Sequence, residues 1–226
     1  MEKENRIESV HWLIINGEER VATVNLIPGV QVYNEKLIVK EDIEYRLWDP
    51  FRSKLAAAII KGLKTLPFQE GSKVLYLGAS TGTTASHISD ILGENGVIFC
   101  VEISPRVARD LLDKCVKYRK NMIPIIEDAR KYGNYYSLFG NIDVVYCDIA
   151  QPDQTDIAIS NCKHFLKKGG DILLVIKSRS INVIKKPSQV FKEEEKKLRR
   201  AGFKVKQIIP LDPFDKDHIL IHTMFV

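Results

Sequence analysis

The sequence predicts an α/β fold: a mostly parallel seven-stranded sheet, preceded by a small, mostly antiparallel β unit. Three observations predict it. From Lys73 onward, short apolar runs alternate with stretches of helical composition, the pattern of parallel strands joined by crossover helices. The last two apolar runs are joined only by the Pro- and Asp-rich residues 210–217, too few for a helical crossover, so they should pair antiparallel. Residues 8–48 instead break into short strand-like runs divided by turn signals.

Taken in order, residues 10–15 and 21–26 are the first two strands, and Asn16-Gly17 between apolar runs is a strong hairpin signal. Pro28-Gly29 marks a further turn, and residues 37–40 and 45–48 complete the N-terminal unit. After Trp48-Asp49-Pro50-Phe51, residues 53–63 have helical composition. The sheet proper follows, with strands at 74–77, 97–101, 123–126, 144–147 and 172–176, then the terminal pair 203–209 and 218–226. The first of these breaks into the small, hydroxyl-rich residues 78–84 and opens a helix over 85–92. Two domains are expected, residues 1–50 and residues 51–226, with no internal repeat, linker or low-complexity segment.

Composition supports a folded chain, since 226 residues at 45% hydrophobic content can bury a substantial core. The longest apolar runs, such as 172–176, fall far short of the roughly 20 residues that cross a bilayer, and the first residues lack a signal-peptide apolar region. A soluble intracellular protein is the expectation. Cys100, Cys115, Cys147 and Cys162 form no C-x-x-C pair, so neither a zinc site nor a disulfide framework is expected; Cys100 and Cys147, in strand-like runs, read as buried thiols. The net charge of +5 is uneven: residues 177–206 hold eleven Lys or Arg against three Glu, a local +8 that leaves −3 elsewhere. That asymmetry suits a polyanionic partner, although the interleaved Glu193, Glu194 and Glu195 equally suit a solvated helix.

In doubly wound sheets ligands lie beyond the carboxyl ends of the strands. After the first strand of the sheet comes the loop Gly78 to Thr84, where glycine permits close backbone approach and a helix start favours electron-rich atoms. It is neither G-x-G-x-x-G nor a loop ending in G-K-[ST], which points to a cofactor without a pyrophosphate. The second strand ends in Glu102, about 20 residues on, placed to accept from ribose hydroxyls. The third is followed by Glu127-Asp128-Ala129, suited to an adenine edge, the fourth by Asp148, and the fifth ends at Lys177. Glu102 and Asp128 fit helix caps equally well. Asp148, directly after an apolar strand, needs a partner, and Lys177 one strand away would supply it, in a functional or a purely structural pair. By themselves Lys54 reads as a surface lysine, His218 equally as a turn residue or a functional one, and His87 as structural.

Seven strands ending in a hairpin on an otherwise parallel sheet outline the Rossmann-like class I methyltransferases. The chain resembles the fibrillarin family more closely still: RLWDPFRSKLA at 46–56, LGASTGTTASHISD at 77–90, Val101-Glu102, DIAQPDQT at 148–155 and DPFDKDH at 212–218 occur in that order with no missing block. The resemblance covers nearly the whole chain and implies RNA-guided ribose 2′-O-methylation of rRNA and tRNA, with S-adenosylmethionine as methyl donor. It implies a catalytic tetrad of Lys54, Asp148, Lys177 and His218. It places the donor on Gly78, Ala79, Thr83, Thr84, Glu102, Ile103, Asp128, Ala129, Asp148, Ile149, Ala150 and Gln151. The implied partners are a box C/D guide RNA with its target, a Nop-type scaffold protein and a kink-turn-binding ribosomal-type protein, with no membrane. With only 13 glycines the chain lacks the Gly- and Arg-rich extension of eukaryotic members, so the archaeal form and a cytoplasmic location are expected.

A ribose hydroxyl is a poor nucleophile, so transfer benefits from a group that takes or stabilises its proton and from strict placement. Lys177 suits either role, as a neutral base or as a cation beside developing alkoxide. The alternatives are a non-catalytic cofactor-binding subunit of a ribonucleoprotein and a small-molecule or protein methyltransferase. The first is disfavoured by the intact tetrad, the second by the absence of an obvious lid insertion.

Overall fold

The computed structural model describes residues 7–135 and 141–226. Its first sheet comprises β1 (His11–Ile15), β2 (Glu18–Val24), β3 (Leu37–Lys40) and β4 (Ile43–Leu47), in the order β1-β2-β4-β3 with every pair antiparallel. Asn16 (φ 52°) and Gly17 (φ 81°) form the tight turn the sequence predicts, which pairs Ile15 with Glu18. The second strand therefore begins three residues earlier than expected. It also ends earlier, because the Asn25 side chain bonds Val30 O and Glu44 Oε1 and draws the chain into a local loop.

Helix α1 (Lys54–Ile60) is capped by Ser53, whose Oγ accepts from Ala56 N. Then follow β5 (Lys73–Leu77), α2 (Thr83–Leu92), β6 (Val97–Glu102), α3 (Pro105–Leu111), β7 (Met122–Ile126) and β8 (Ile142–Cys147). The chain closes with α4 (Gln154–Phe165), β9 (Leu166–Lys177), α5 (Ser178–Ile181), α6 (Pro187–Arg200), β10 (Phe203–Pro210) and β11 (His218–Phe225). The large sheet has the order β10-β11-β9-β8-β5-β6-β7; β11 runs antiparallel to both neighbours, and the strands from β9 to β7 are mutually parallel. The expected seven strands and terminal hairpin are all present.

Helices cover both faces of this sheet, which is why its central strands are apolar without alternation. Val74, Tyr76, Val144, Tyr146, Leu173 and Val175 join α1 and α2 in one core, whereas Leu75, Leu77, Val145, Cys147, Leu174 and Ile176 join α4 in the other. The first core runs on into the N-terminal unit through Val10, Val21, Val32 and Trp48. All four cysteines are buried free thiols. Among the described residues no helix is long and apolar enough to cross a membrane.

A buried ion network joins the two sheets. Arg46 on β4 reaches Glu35 Oε1 at 2.6 Å and, on α2, Asp90 Oδ2 at 2.8 Å and Ser86 Oγ at 2.9 Å. Arg119 meets the other Asp90 oxygen at 2.6 Å. Burial opposes the Arg46 charge, but Asp90 and Glu35 outweigh it and its pKa is raised. His87 is structural, as expected: it stacks on Trp48 at 4.5 Å between hydrogen bonds to Thr23 and Tyr33. Burial, then Arg46 and Arg119, drive its pKa well below the usual range.

Candidate active site

The two loop glycines are explained by close packing. Gly78 (φ 84°) ends β5 against the end of β8, where a Cβ would lie 2.7 Å from Asp148 O and 2.8 Å from Ile149 Cγ2. Gly82 (φ 94°) starts α2, where a Cβ would run into Cys115 Sγ and lie 2.9 Å from Leu111 Cδ1. Between them Ser80 adopts φ 52°, and its N–H donates to Glu102 Oε2 at 2.9 Å. The other Glu102 oxygen accepts from Ser104 N at 2.9 Å. Ser104, not Glu102, caps α3, so Glu102 ties the glycine loop to the helix start. Asp128 caps the 3₁₀ turn at 129–134 through Arg130 N, the structural reading the sequence left open, and it also lines the cavity.

That cavity, about 300 Å³, opens at the carboxyl ends of β5, β6, β7 and β8, where the strand order reverses on either side of β5. Of the expected residues, Gly78, Glu102, Ile103, Asp128, Ala129, Asp148, Ile149, Ala150, Gln151 and Lys177 line it. Ala79, Thr83 and Thr84 do not border it: Ala79 and Thr84 are buried, and Thr84 Oγ1 lies 2.9 Å from Ser53 Oγ, joining the start of α2 to the cap of α1. Ser80 and Glu127, from the segments read as ligand-facing, also line it, and Arg130 and Ile157 do so without having been singled out from the sequence. Arg130 spans its rim, donating to Gln151 Oε1 at 3.1 Å and Asp153 Oδ1 at 2.7 Å.

At the mouth Lys54, Asp148 and Lys177 meet, and His218 stands next to them on β11. Lys177 Nζ lies 2.8 Å from Asp148 Oδ1 and donates to Asp148 O at 3.2 Å; Lys54 Nζ lies 3.4 Å from Asp148 Oδ2. Burial raises the Asp148 pKa, but Lys177 and Lys54 outweigh it and hold the carboxyl below its usual range. Burial likewise opposes the Lys54 charge, and Asp148 and Asp215 overcome it, raising its pKa. His218 pairs with Lys177 across β11 and β9, which sets their side chains on the same sheet face.

Asp215, inside the quoted DPFDKDH segment but not picked out there, completes the arrangement. Its two oxygens lie 3.4 Å from Lys54 Nζ and 2.9 Å from His218 Nδ1. The result is a row of alternating character: Lys177, Asp148, Lys54, Asp215, His218. Gln154, in the quoted block 148–155 but given no role there, is a second such residue. Fully buried, it accepts from Lys177 N at 3.0 Å and donates to Gln151 O at 2.9 Å, pinning the lysine strand to the Asp148 loop.

The basic segment is partly neutralised. Lys185 pairs with Glu193, Lys197 with Glu194 and Asp156, Arg199 with Glu195, and Lys206 with Asp171. Lys186, Lys192, Lys196, Arg200 and Lys204 are exposed and make no ion pair among the described residues.

A sheet of this order, with its single antiparallel strand and a cavity at the switch point, is the fold of the Rossmann-like class I methyltransferases. The fibrillarin family model matches residues 1–226. The fibrillarin-like rRNA/tRNA 2′-O-methyltransferase of Saccharolobus solfataricus is 53% identical over 224 residues, 99% of this chain and 96% of that relative. The crystal structure of Aeropyrum pernix fibrillarin with natively bound S-adenosyl-L-methionine matches with TM-score 0.91 and 46% identity, covering 98% of this chain and 96% of that one. A chain from a fibrillarin/Nop5p complex matches with TM-score 0.86 and 36% identity, covering 99% of this chain and 100% of that one. The chain belongs to the fibrillarin family.

Proposed function

We propose that the protein transfers a methyl group from S-adenosylmethionine to ribose 2′-hydroxyls of rRNA and tRNA, guided by a box C/D RNA. The observation that carries this reading is the junction of cavity and row: Asp148 and Lys177 line the cavity and also begin the chain of charges leading to His218. The cavity suits a nucleoside bearing a sulfonium amino acid. Glu102 is placed for ribose hydroxyls and Asp128 with Ala129 for an adenine edge, with Ile103, Ile149 and Ile157 as apolar walls. The lining cations, Arg130 and Lys177, are each engaged by carboxylates, leaving no free pair of charges for a pyrophosphate. Gly78 supports the same reading, because a side chain there would press into the Asp148 loop that forms one wall.

When bound, the donor supplies an electrophilic methyl. This chain's residues then place the nucleophile and manage its charge. Lys177, anchored on two Asp148 atoms, acts as a fixed ammonium that stabilises alkoxide character. Lys54 contributes a second cation, and Asp148 keeps the two ammoniums together. Residues 1–50 and 51–226 act as two domains, and the unpaired lysines and arginine of 186–204 attract phosphates without reading bases. Guide pairing supplies sequence choice. A Nop-type scaffold, of the kind seen with the fibrillarin/Nop5p relative, and a kink-turn-binding protein complete the particle.

The test is transfer of labelled methyl from S-adenosylmethionine to an RNA duplexed with a box C/D guide, with and without scaffold. Guided 2′-O-methylation that requires the scaffold is expected; transfer to free metabolites instead overturns the reading. Lys177→Ala should lower transfer by about 10²–10⁴-fold while donor binding stays measurable. Wild-type turnover in that variant removes Lys177 from the mechanism.

A further inference from the structure

We propose that Asp215 is a positioning residue: it holds His218 with its proton on Nδ1, leaving Nε2 bare to take the proton of the attacking ribose hydroxyl. The proposal rests on the ribose reading above.

His218 Nδ1 lies 2.7 Å from the Lys216 carbonyl oxygen and 2.9 Å from Asp215 Oδ1. A carbonyl only accepts, so the ring nitrogen facing it must carry the hydrogen. In a neutral imidazole the lone pair then sits on Nε2, for which the described residues supply no partner. The His218 side chain keeps 20% of its surface exposed, and its cross-strand partner is Lys177, so the ring stands beside the cavity mouth.

The other members of the row are poor bases. Lys54 is held as an ammonium by Asp148 and Asp215, and an ammonium has no lone pair. Lys177 is committed to Asp148. Asp148 serves both lysines, and its lowered pKa makes it a weak acceptor. Lys216 O and Asp215 Oδ1 both face Nδ1 and together hold the hydrogen there. Asp215, held between Lys54 Nζ and the ring, fixes the ring's orientation, the arrangement of a nucleophile, its base and an orienting carboxylate.

The balance is simple. The ribose oxygen bonds to the methyl carbon while the carbon–sulfur bond breaks and its electron pair returns to sulfur. The hydroxyl proton passes to Nε2 and is later released to solvent. No oxidant or further reactant is needed.

The first test is ¹⁵N NMR of His218 in the donor-free protein, a readout independent of turnover. A protonated Nδ1 and an unprotonated Nε2 are expected at a pH where the ring is neutral; the reverse tautomer overturns the proposal. The second is kinetic. Asp215→Asn should lower kcat by about 10²-fold with KM for the donor unchanged, and Asp215→Glu should restore most of the loss. His218→Gln should fall similarly, and the double variant no further than either single one. Wild-type kcat in Asp215→Asn overturns the proposal, as does loss of donor binding, which would mark Asp215 as merely structural. Failure of the wild type to methylate guided RNA counts against the proposed function instead, and the tautomer measurement separates the two.

Discussion

His87 shows how a single titratable group ties pH to stability. Its ring is fully buried between Tyr33, Thr23 and Trp48, and its folded pKa is depressed. The unfolded chain takes up a proton near the usual value of 6.5, while the folded chain does not. Its contribution is therefore intact above that pH and lost as pH falls below it, by at most about 1.4 kcal/mol per unit. Urea unfolding at about pH 7 and pH 5 should show His87→Gln losing about 2 kcal/mol less than the wild type over that interval; equal losses refute the assignment. His87 reads as structural from the sequence despite its place one turn into the loop helix, and its burial between Tyr33, Thr23 and Trp48 agrees. Asp215 was not legible, although it lies within a quoted segment, because its partners Lys54 and His218 come from different elements and only folding brings all three together.

Among the elements, the loop between β5 and α2 has little room for substitution. Gly78→Ala must both enter the left-handed region and push the Asp148–Ile149 backbone away. About 2–4 kcal/mol of stability should be lost, combining strain and overpacking, and calorimetry should detect weakened donor binding. Gly169 (φ 77°) is the control: a Cβ there meets nothing within 4 Å, so Gly169→Ala should cost only the backbone strain and leave binding unchanged. Equal effects at the two positions would dismiss close packing as the reason for Gly78. The strands of the large sheet were legible because burial on both faces leaves unbroken apolar runs such as 172–176. Helix ends were less so: α1 stops at Ile60, three residues short of the expected 63, with Gly62 at φ 94° just beyond.

For the molecule as a whole, the Arg46 network determines whether the N-terminal sheet has an independent existence. Arg46→Leu strands Glu35 without its guanidinium and removes one of two cations from Asp90, and such a break in a buried network should cost about 3–5 kcal/mol. Thermal unfolding of the wild type should be a single transition reporting both sheets; two separated transitions would show that the shared core does not couple them. Arg46 and Asp90 both fall within segments that carried the family resemblance, yet their ion pair spans 44 positions and has no local signature. The basic segment shows the opposite: its charge was plain in the composition, while its partial neutralisation by Glu193, Glu194, Glu195, Asp156 and Asp171 required the folded arrangement.

Helix α2 is ten residues, about 15 Å, long. Its first turn closes the glycine loop, and its later turns carry Ser86 and Asp90, which Arg46 grips from the N-terminal sheet. One short rod thus follows directly on the loop that lines the cavity and serves as anchor post to a second sheet. If filling the cavity changes how tightly that post is held, thermodynamic reciprocity requires that loading the sheet change ligand affinity by the same factor. A partner on residues 10–48 that displaced Arg46 would act on the cavity through α2 and the loop before it.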